Sequence, residues 1–150
     1  MVALVQRVKH ASVDVNDEVV GEIGPGMLIL LGVHEDDDEE TADWLAYKCA
    51  NLRIFADEDD RMNYSLLKTG GEALVVPQFT LYGNVQNGHR PSFDEPAPPE
   101  KAMKLYRYFV SQLQEKLGRP VPTGEFGAMM QVHLQNDGPV TFWVERGADE

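Results

Sequence analysis

Apolar and polar positions alternate from the first residues. Val2, Leu4, Gln6 and Val8 interleave with Ala3, Val5 and Arg7, the period-two pattern of a strand. Val13 and Val15 then lead through Asn16-Asp17 into Val19 to Ile23, as in a hairpin whose turn residues tolerate positive φ. After Gly24-Pro25-Gly26, the apolar run Met27 to Val33 predicts a strand buried on both faces and placed mid-sheet. Asp36 to Asp38 can cap a helix over about Glu39 to Asn51, where Ala42, Leu45, Ala46 and Cys49 form one stripe at the 3.6-residue period. A short strand is expected around Arg53 to Phe55.

Gly70-Gly71 marks a turn before a second apolar strand, Ala73 to Tyr82. Pro77 interrupts it, because proline has no N–H to give a ladder. The segment Gly83 to Pro99, rich in Gly, Asn and Pro, is long enough for a binding loop. Glu100 to Leu117 is the clearest helix: Ala102, Leu105, Tyr106, Phe109, Leu113 and Leu117 share a face, and Gly118 with Pro120 stops it. Its aromatic residues read as core. Met129 to Leu134 and Val140 to Glu145 read as two strands joined by a turn at Asn136 to Pro139. These elements describe an α/β fold: a single compact domain over residues 1–150 with mixed β-sheets, β-rich termini and two main helices.

Composition narrows the chemistry. At 150 residues, 43% hydrophobic and 25% charged, the chain suits one core. No apolar run has the length of a membrane span, and Met1 to Lys9 alternates where a signal peptide would be continuously apolar, so a cytoplasmic protein without a membrane partner is expected. The net charge of −12 argues against broad attraction to nucleic acid, so any RNA contact must be local. The acidic clusters Glu35 to Glu40 and Asp57 to Asp60 do not make a calcium loop. Starting the template at Asp57 puts Arg61 at the fifth position, Met62 where Gly is needed and Lys68 at the final Glu. They read as solvated surface. The lone Cys49 sits on the helical stripe as an inert thiol, and His10, His34, His89 and His133 are too scattered to suggest more than structural or surface roles. There is no Gly-x-Ser-x-Gly elbow, Walker loop or dinucleotide fingerprint, and His34-Glu35 lacks the second His of a zinc helix; no cofactor and no metal are expected.

Two separated segments carry a resemblance. Gln78-Phe79-Thr80-Leu81 and Asn136-Asp137-Gly138-Pro139-Val140-Thr141 are similar to the two signature motifs of the bacterial-type D-aminoacyl-tRNA deacylases, also called D-tyrosyl-tRNA deacylases. The likeness runs along nearly the whole chain, through Gln6-Arg7-Val8, Gly21-Glu22-Ile23-Gly24, Arg53-Ile54-Phe55, Arg90-Pro91-Ser92-Phe93 and Thr141-Phe142-Trp143. One departure stands out: the family's first motif usually begins with Ser, and Pro77 occupies that place, so no hydroxyl is available there. A sister deacylase family has Pro at this place but Ala where this chain has Phe79. Phe79 with the intact second motif therefore favours the D-specific branch.

The resemblance implies hydrolysis of the ester between a D-amino acid, and glycine, and the terminal adenosine of tRNA, with L-aminoacyl-tRNA rejected. It implies a homodimer with active sites at the subunit interface. Gln78, Phe79 and Thr80 are the catalytic candidates, the strand end offering N–H donors to a developing oxyanion. Thr80 has no visible base as a nucleophile, so a positioning role is favoured, with the RNA's neighbouring 2′-hydroxyl assisting. The Gly138-Pro139 peptide is expected to be cis and to enter the partner's site, its carbonyls holding the α-ammonium and filling the space of an L side chain. By the same analogy Arg7 braces that peptide, a simple surface ion pair being the alternative. His89 and Arg90, in the long loop, are the residues assigned to tRNA contact. Two other classes stay open: a non-catalytic tRNA-binding module and a hydrolase of small D-amino acid esters.

Overall fold

In the computed structural model, which describes residues 1–150, strand β1 (Val2–Val15) organises the sheet. Its first half pairs antiparallel with β3 (Gly26–Gly32), from Val2 opposite Gly32 to Val8 opposite Gly26. Its second half pairs antiparallel with β2 (Glu18–Ile23) through the expected hairpin, whose Asn16 and Asp17 take φ of 52° and 66°. β3 lies mid-sheet, as its apolar run requires, and pairs parallel with β6 (Glu72–Pro77) on its other side. At Gly26 a Cβ would stand 1.8 Å from the backbone oxygen of Glu72, so only glycine lets these two strands close.

A parallel pair needs a crossover. Here it carries helix α1 (Glu39–Asn51), the small hairpin of β4 (Phe55–Ala56) and β5 (Met62–Tyr64), and the single turn α2 (Leu66–Thr69). The Asp38 carboxylate caps α1 by accepting from the Thr41 N–H and hydroxyl, both at 2.9 Å, and those bonds hold its carboxyl below the usual range. Helix α3 (Pro99–Leu117) opens on a proline and closes at Gly118, φ 73°, whose N–H donates to Gln114. Its predicted apolar stripe is the buried face. Alternation along the strands divides the core in two. Val5, Ile29 and Val75 face α1 and α3 in the larger cluster, while Val8, Leu28, Leu74 and Val76 face the other way in the smaller. Cys49 lies fully within the larger core, where burial pushes its thiol up to about 12 and keeps it protonated.

The C-terminal region differs from expectation. Residues 131–145 form one strand, β7 (Gln131–Glu145), not two strands folded back on each other. Both halves pair antiparallel with β1: Val2 opposite Glu145 to Gln6 opposite Thr141, then Val8 opposite Asn136 to Asp14 opposite Gln131. The Asn-Asp-Gly-Pro segment makes a bulge opposite Arg7 because β1 is long enough to pair on both sides of it. A second correction concerns Ala73 to Tyr82. The strand ends at Pro77, and Phe79–Tyr82 is a 3₁₀ turn entered through Gln78 at φ −146° and ψ 80°. The short strand expected at Arg53 to Phe55 falls at Phe55–Ala56. No helix is long and apolar enough to cross a membrane.

β7 pairs with β1 alone, so its outer edge is unpaired. Phe142, Trp143 and Leu134 on it are exposed, and so is Met129 just before it. A long, free strand edge with exposed large apolar groups is a surface that solution proteins normally cover.

Candidate active site

Gln78 sits where the sheet ends. Its N–H donates to Leu31 at 2.8 Å, after which the chain tightens into the 3₁₀ turn, Leu81 N–H donating to Gln78 O at 3.3 Å and Gly83 N–H to Thr80 O at 2.9 Å. The N–H groups of Phe79 and Thr80 precede the first bond of that turn and are free of helical partners. Gln78 Nε2 donates to Thr80 Oγ1 at 2.5 Å and so fixes the hydroxyl beside those N–H groups. Phe79, exposed, leans on Phe93 with ring centroids 5.3 Å apart.

Gln78 and Phe79 form one wall of a cavity of about 720 Å³. Phe93, Tyr106, Phe126 and Met129 supply much of the rest, and no charged side chain lines it. Tyr106 donates to the Val75 carbonyl at 3.2 Å, and burial pushes its phenol up to about 12, so it stays neutral. An apolar cleft edged by one amide and one hydroxyl suits a flat, uncharged organic group. Phe126 to Ala128 on this wall carry neither periodicity nor reactive groups, and Met129 and Met130, expected at the start of a strand, precede β7 and line the cavity instead.

The second motif is built by hydrogen bonds to its own backbone. The Gly138-Pro139 peptide is cis, and both residues are exposed at the crest of the β7 bulge. Arg7 Nε donates to the Asp137 carbonyl at 2.9 Å and lies 3.3 Å from its carboxylate, while Arg7 Nη1 donates to Ile54 O at 2.8 Å. Asn136 clamps the bulge: its amide donates to Arg7 O at 2.9 Å and Val140 O at 3.2 Å. A Cβ on residue 138 would meet Asn136 Oδ1 at 2.4 Å, which explains the glycine. Arg7→Met keeps the apolar stem but leaves two carbonyls without their donor. It is expected to cost about 1–3 kcal/mol in a denaturant melt, with kcat/KM reduced about tenfold as the bulge loosens; an unchanged melt and rate would show Arg7 to be an ordinary surface cation.

Within one chain the two motifs do not meet. The bulge lies opposite Arg7 on β7, whereas Gln78 follows β6 beside Leu31, which pairs with Ala3. From Arg7 to Ala3 along β1, and from β7 across β1 and β3 to β6, the separation is on the order of 15–20 Å by strand geometry. His89 and Arg90 stand exposed in the loop beyond the 3₁₀ turn.

The D-Tyr-tRNA(Tyr) deacylase family model matches residues 4–145. The chain belongs to this family. A D-aminoacyl-tRNA deacylase of Salinibacter ruber is 63% identical over 150 residues, the whole of both chains. One of Cronobacter sakazakii is 55% identical over 145 residues, 97% of this chain and 99% of that one. Among solved structures, the c-Myc DNA Unwinding Element Binding Protein superposes with a TM-score of 0.93 at 42% identity, covering 99% of this chain and all of that one. A probable eukaryotic D-amino acid tRNA deacylase superposes with a TM-score of 0.81 at 19% identity, covering 95% and 98%, and so shares the deacylase fold.

Proposed function

We propose that this chain hydrolyses the ester joining a D-amino acid, or glycine, to the 3′-terminal adenosine of tRNA, in the cytoplasm, at sites shared between two copies of itself. Deacylase family membership supports the reaction. The observation that carries the shared site is the separation of two exposed motifs on one chain, together with the unpaired apolar edge of β7 that a second copy would cover.

Each part then has a chemical task. The uncharged cavity beside Gln78 and Phe79 takes the adenosine, with His89 and Arg90 touching the adjoining tRNA. The free N–H groups of Phe79 and Thr80 face the ester carbonyl and stabilise the oxyanion as water adds, an effect worth about 3–4 kcal/mol per donor in comparable hydrolases. Thr80, oriented by Gln78, positions the water or the ester, and the ribose 2′-hydroxyl assists proton transfer. The partner's bulge brings the Gly138-Pro139 carbonyls to the α-ammonium, Arg7 and Asn136 keeping it rigid.

Purified protein is expected to release D-tyrosine from D-tyrosyl-tRNA well above the buffer rate; release at the buffer rate contradicts the activity. If Thr80 positions and does not attack, mass spectrometry of quenched turnover mixtures shows no acyl adduct on it, and chelators leave the rate unchanged. An adduct on Thr80 would make it the nucleophile. Nucleic-acid binding without catalysis is a second reading, favoured by the likeness to the c-Myc DNA Unwinding Element Binding Protein. The net charge of −12 opposes it, since such binding rests on many cation–phosphate contacts.

A further inference from the structure

Phe93 is held from three sides and yet left in the open. Its neighbour Ser92 exchanges two backbone hydrogen bonds with Asn84, the Ser92 N–H donating at 2.9 Å and its carbonyl accepting at 2.8 Å. The Phe93 ring packs on Gly83, where a Cβ would stand 2.9 Å from Phe93 Cε1, and it tilts at 56° against Phe79. Phe93 nevertheless remains 46% exposed and Phe79 57%. Isolated exposed apolar side chains are commonplace. An aromatic pair fixed in place without being buried, on the wall of an uncharged cavity, is a prepared surface for a flat ring.

What that ring is follows from the deacylase reading, on which this inference rests: the cavity takes the terminal adenosine, and the N–H groups of Phe79 and Thr80 face the ester carbonyl. The adenosine ribose carries both that ester and the 5′-phosphate leading to the preceding nucleotide. The RNA strand therefore leaves the cavity from beside Phe79, over the rim that Phe79 and Phe93 form. The partner's bulge approaches from the amino-acid side of the ester, not from this nucleoside side. Met129, the other large exposed apolar residue on the cavity wall, adjoins the β7 edge that a second copy covers. Charge points the same way. At a net charge of −12 a grip led by phosphate contacts is weak, whereas stacking on a base carries no such penalty.

We propose that Phe93, braced by Phe79, is the stacking platform for the base of the nucleotide that precedes the terminal adenosine. The platform accepts any base, because every base has a π-face, and it extends recognition from one nucleotide to two.

Two substrates separate the base from its phosphate: the D-tyrosyl ester of cytidylyl-adenosine, and the same ester with the cytosine removed to leave an abasic sugar. The unaltered protein is expected to hydrolyse the intact dinucleotide with kcat/KM about tenfold higher. In Phe93→Ala and Phe93→Leu that ratio falls to about one, whatever either change does to the rate common to both esters, while Phe93→Tyr, which keeps the ring, keeps the ratio. Equal rates on the two esters in the unaltered protein, or a ratio that survives in folded Phe93→Leu, overturn the platform. Absence of hydrolysis of both esters rejects the deacylase reading instead. The platform is then decided by NMR titration of the unaltered protein with uncharged cytidylyl-adenosine, as it is should neither truncated variant fold. Upfield shifts of the cytosine ring protons support stacking, and shifts confined to the adenosine overturn it.

Discussion

Two variants of this chain that are each inactive are expected to regain roughly half of wild-type activity per dimer when combined, by counting sites. One variant replaces Gln78 and Thr80 by Ala, removing the hydroxyl and the amide that holds it. By comparison with other hydrolases that lose a donor to the transition state, its rate should fall about 10²–10³-fold. The other replaces Gly138 by Val and Pro139 by Ala. A side chain at residue 138 collides with the Asn136 amide, so the clamp that holds the bulge must shift. If each site joins the Gln78-Thr80 turn of one copy to the Gly138-Pro139 bulge of the other, the mixed dimer has one site with both defects and one with none. Differently tagged chains, co-expressed and purified through both tags, give that dimer. If each site were built within one chain, every site would be defective, so a folded but inactive heterodimer rejects the shared site without touching the assignment to the family.

How much could be read beforehand depended on how local the determinants are. The Asn16-Asp17 hairpin, α1 behind Asp38 and α3 ahead of Gly118 were legible because each is specified by a few neighbouring residues: turn formers, a capping carboxylate, a 3.6-residue stripe. β7 was not. Asn-Asp-Gly-Pro has the chemistry of a reversal, and only the length of β1, distant in sequence, turns it into a bulge. Pro77 showed that pairing would fail, but apolar Phe79, Leu81 and Tyr82 fit a strand as well as a 3₁₀ turn. The cavity wall at Phe126 to Met130 exists only because that segment packs across α3 and the sheet end. The candidate site was visible through resemblance alone. The groups proposed to work there are backbone N–H and C=O, which no residue type announces, while Asn136, the clamp of the bulge, has an ordinary turn residue's appearance until its two hydrogen bonds are seen.

The second large effect concerns handedness. Backbone carbonyls at Gly138-Pro139 would grip the α-ammonium and fill the space on one side of the α-carbon, so they read configuration and not side-chain identity. D-tyrosyl-tRNA and D-aspartyl-tRNA are both expected to be substrates despite their different side chains, and glycyl-tRNA too, having nothing to exclude. An L side chain would have to displace a bulge pinned by Arg7 and Asn136. Forcing two atoms into that backbone costs several kcal/mol, so discrimination of at least about 10³-fold in kcat/KM is expected. The most direct measurement is one matched pair: initial rates of deacylation of D-tyrosyl-tRNA and L-tyrosyl-tRNA, same tRNA, same enzyme concentration. D-Tyrosyl-tRNA should be consumed rapidly while L-tyrosyl-tRNA decays at its rate in buffer; loss of the L form as fast as the D form, or faster, contradicts chiral deacylation by this chain.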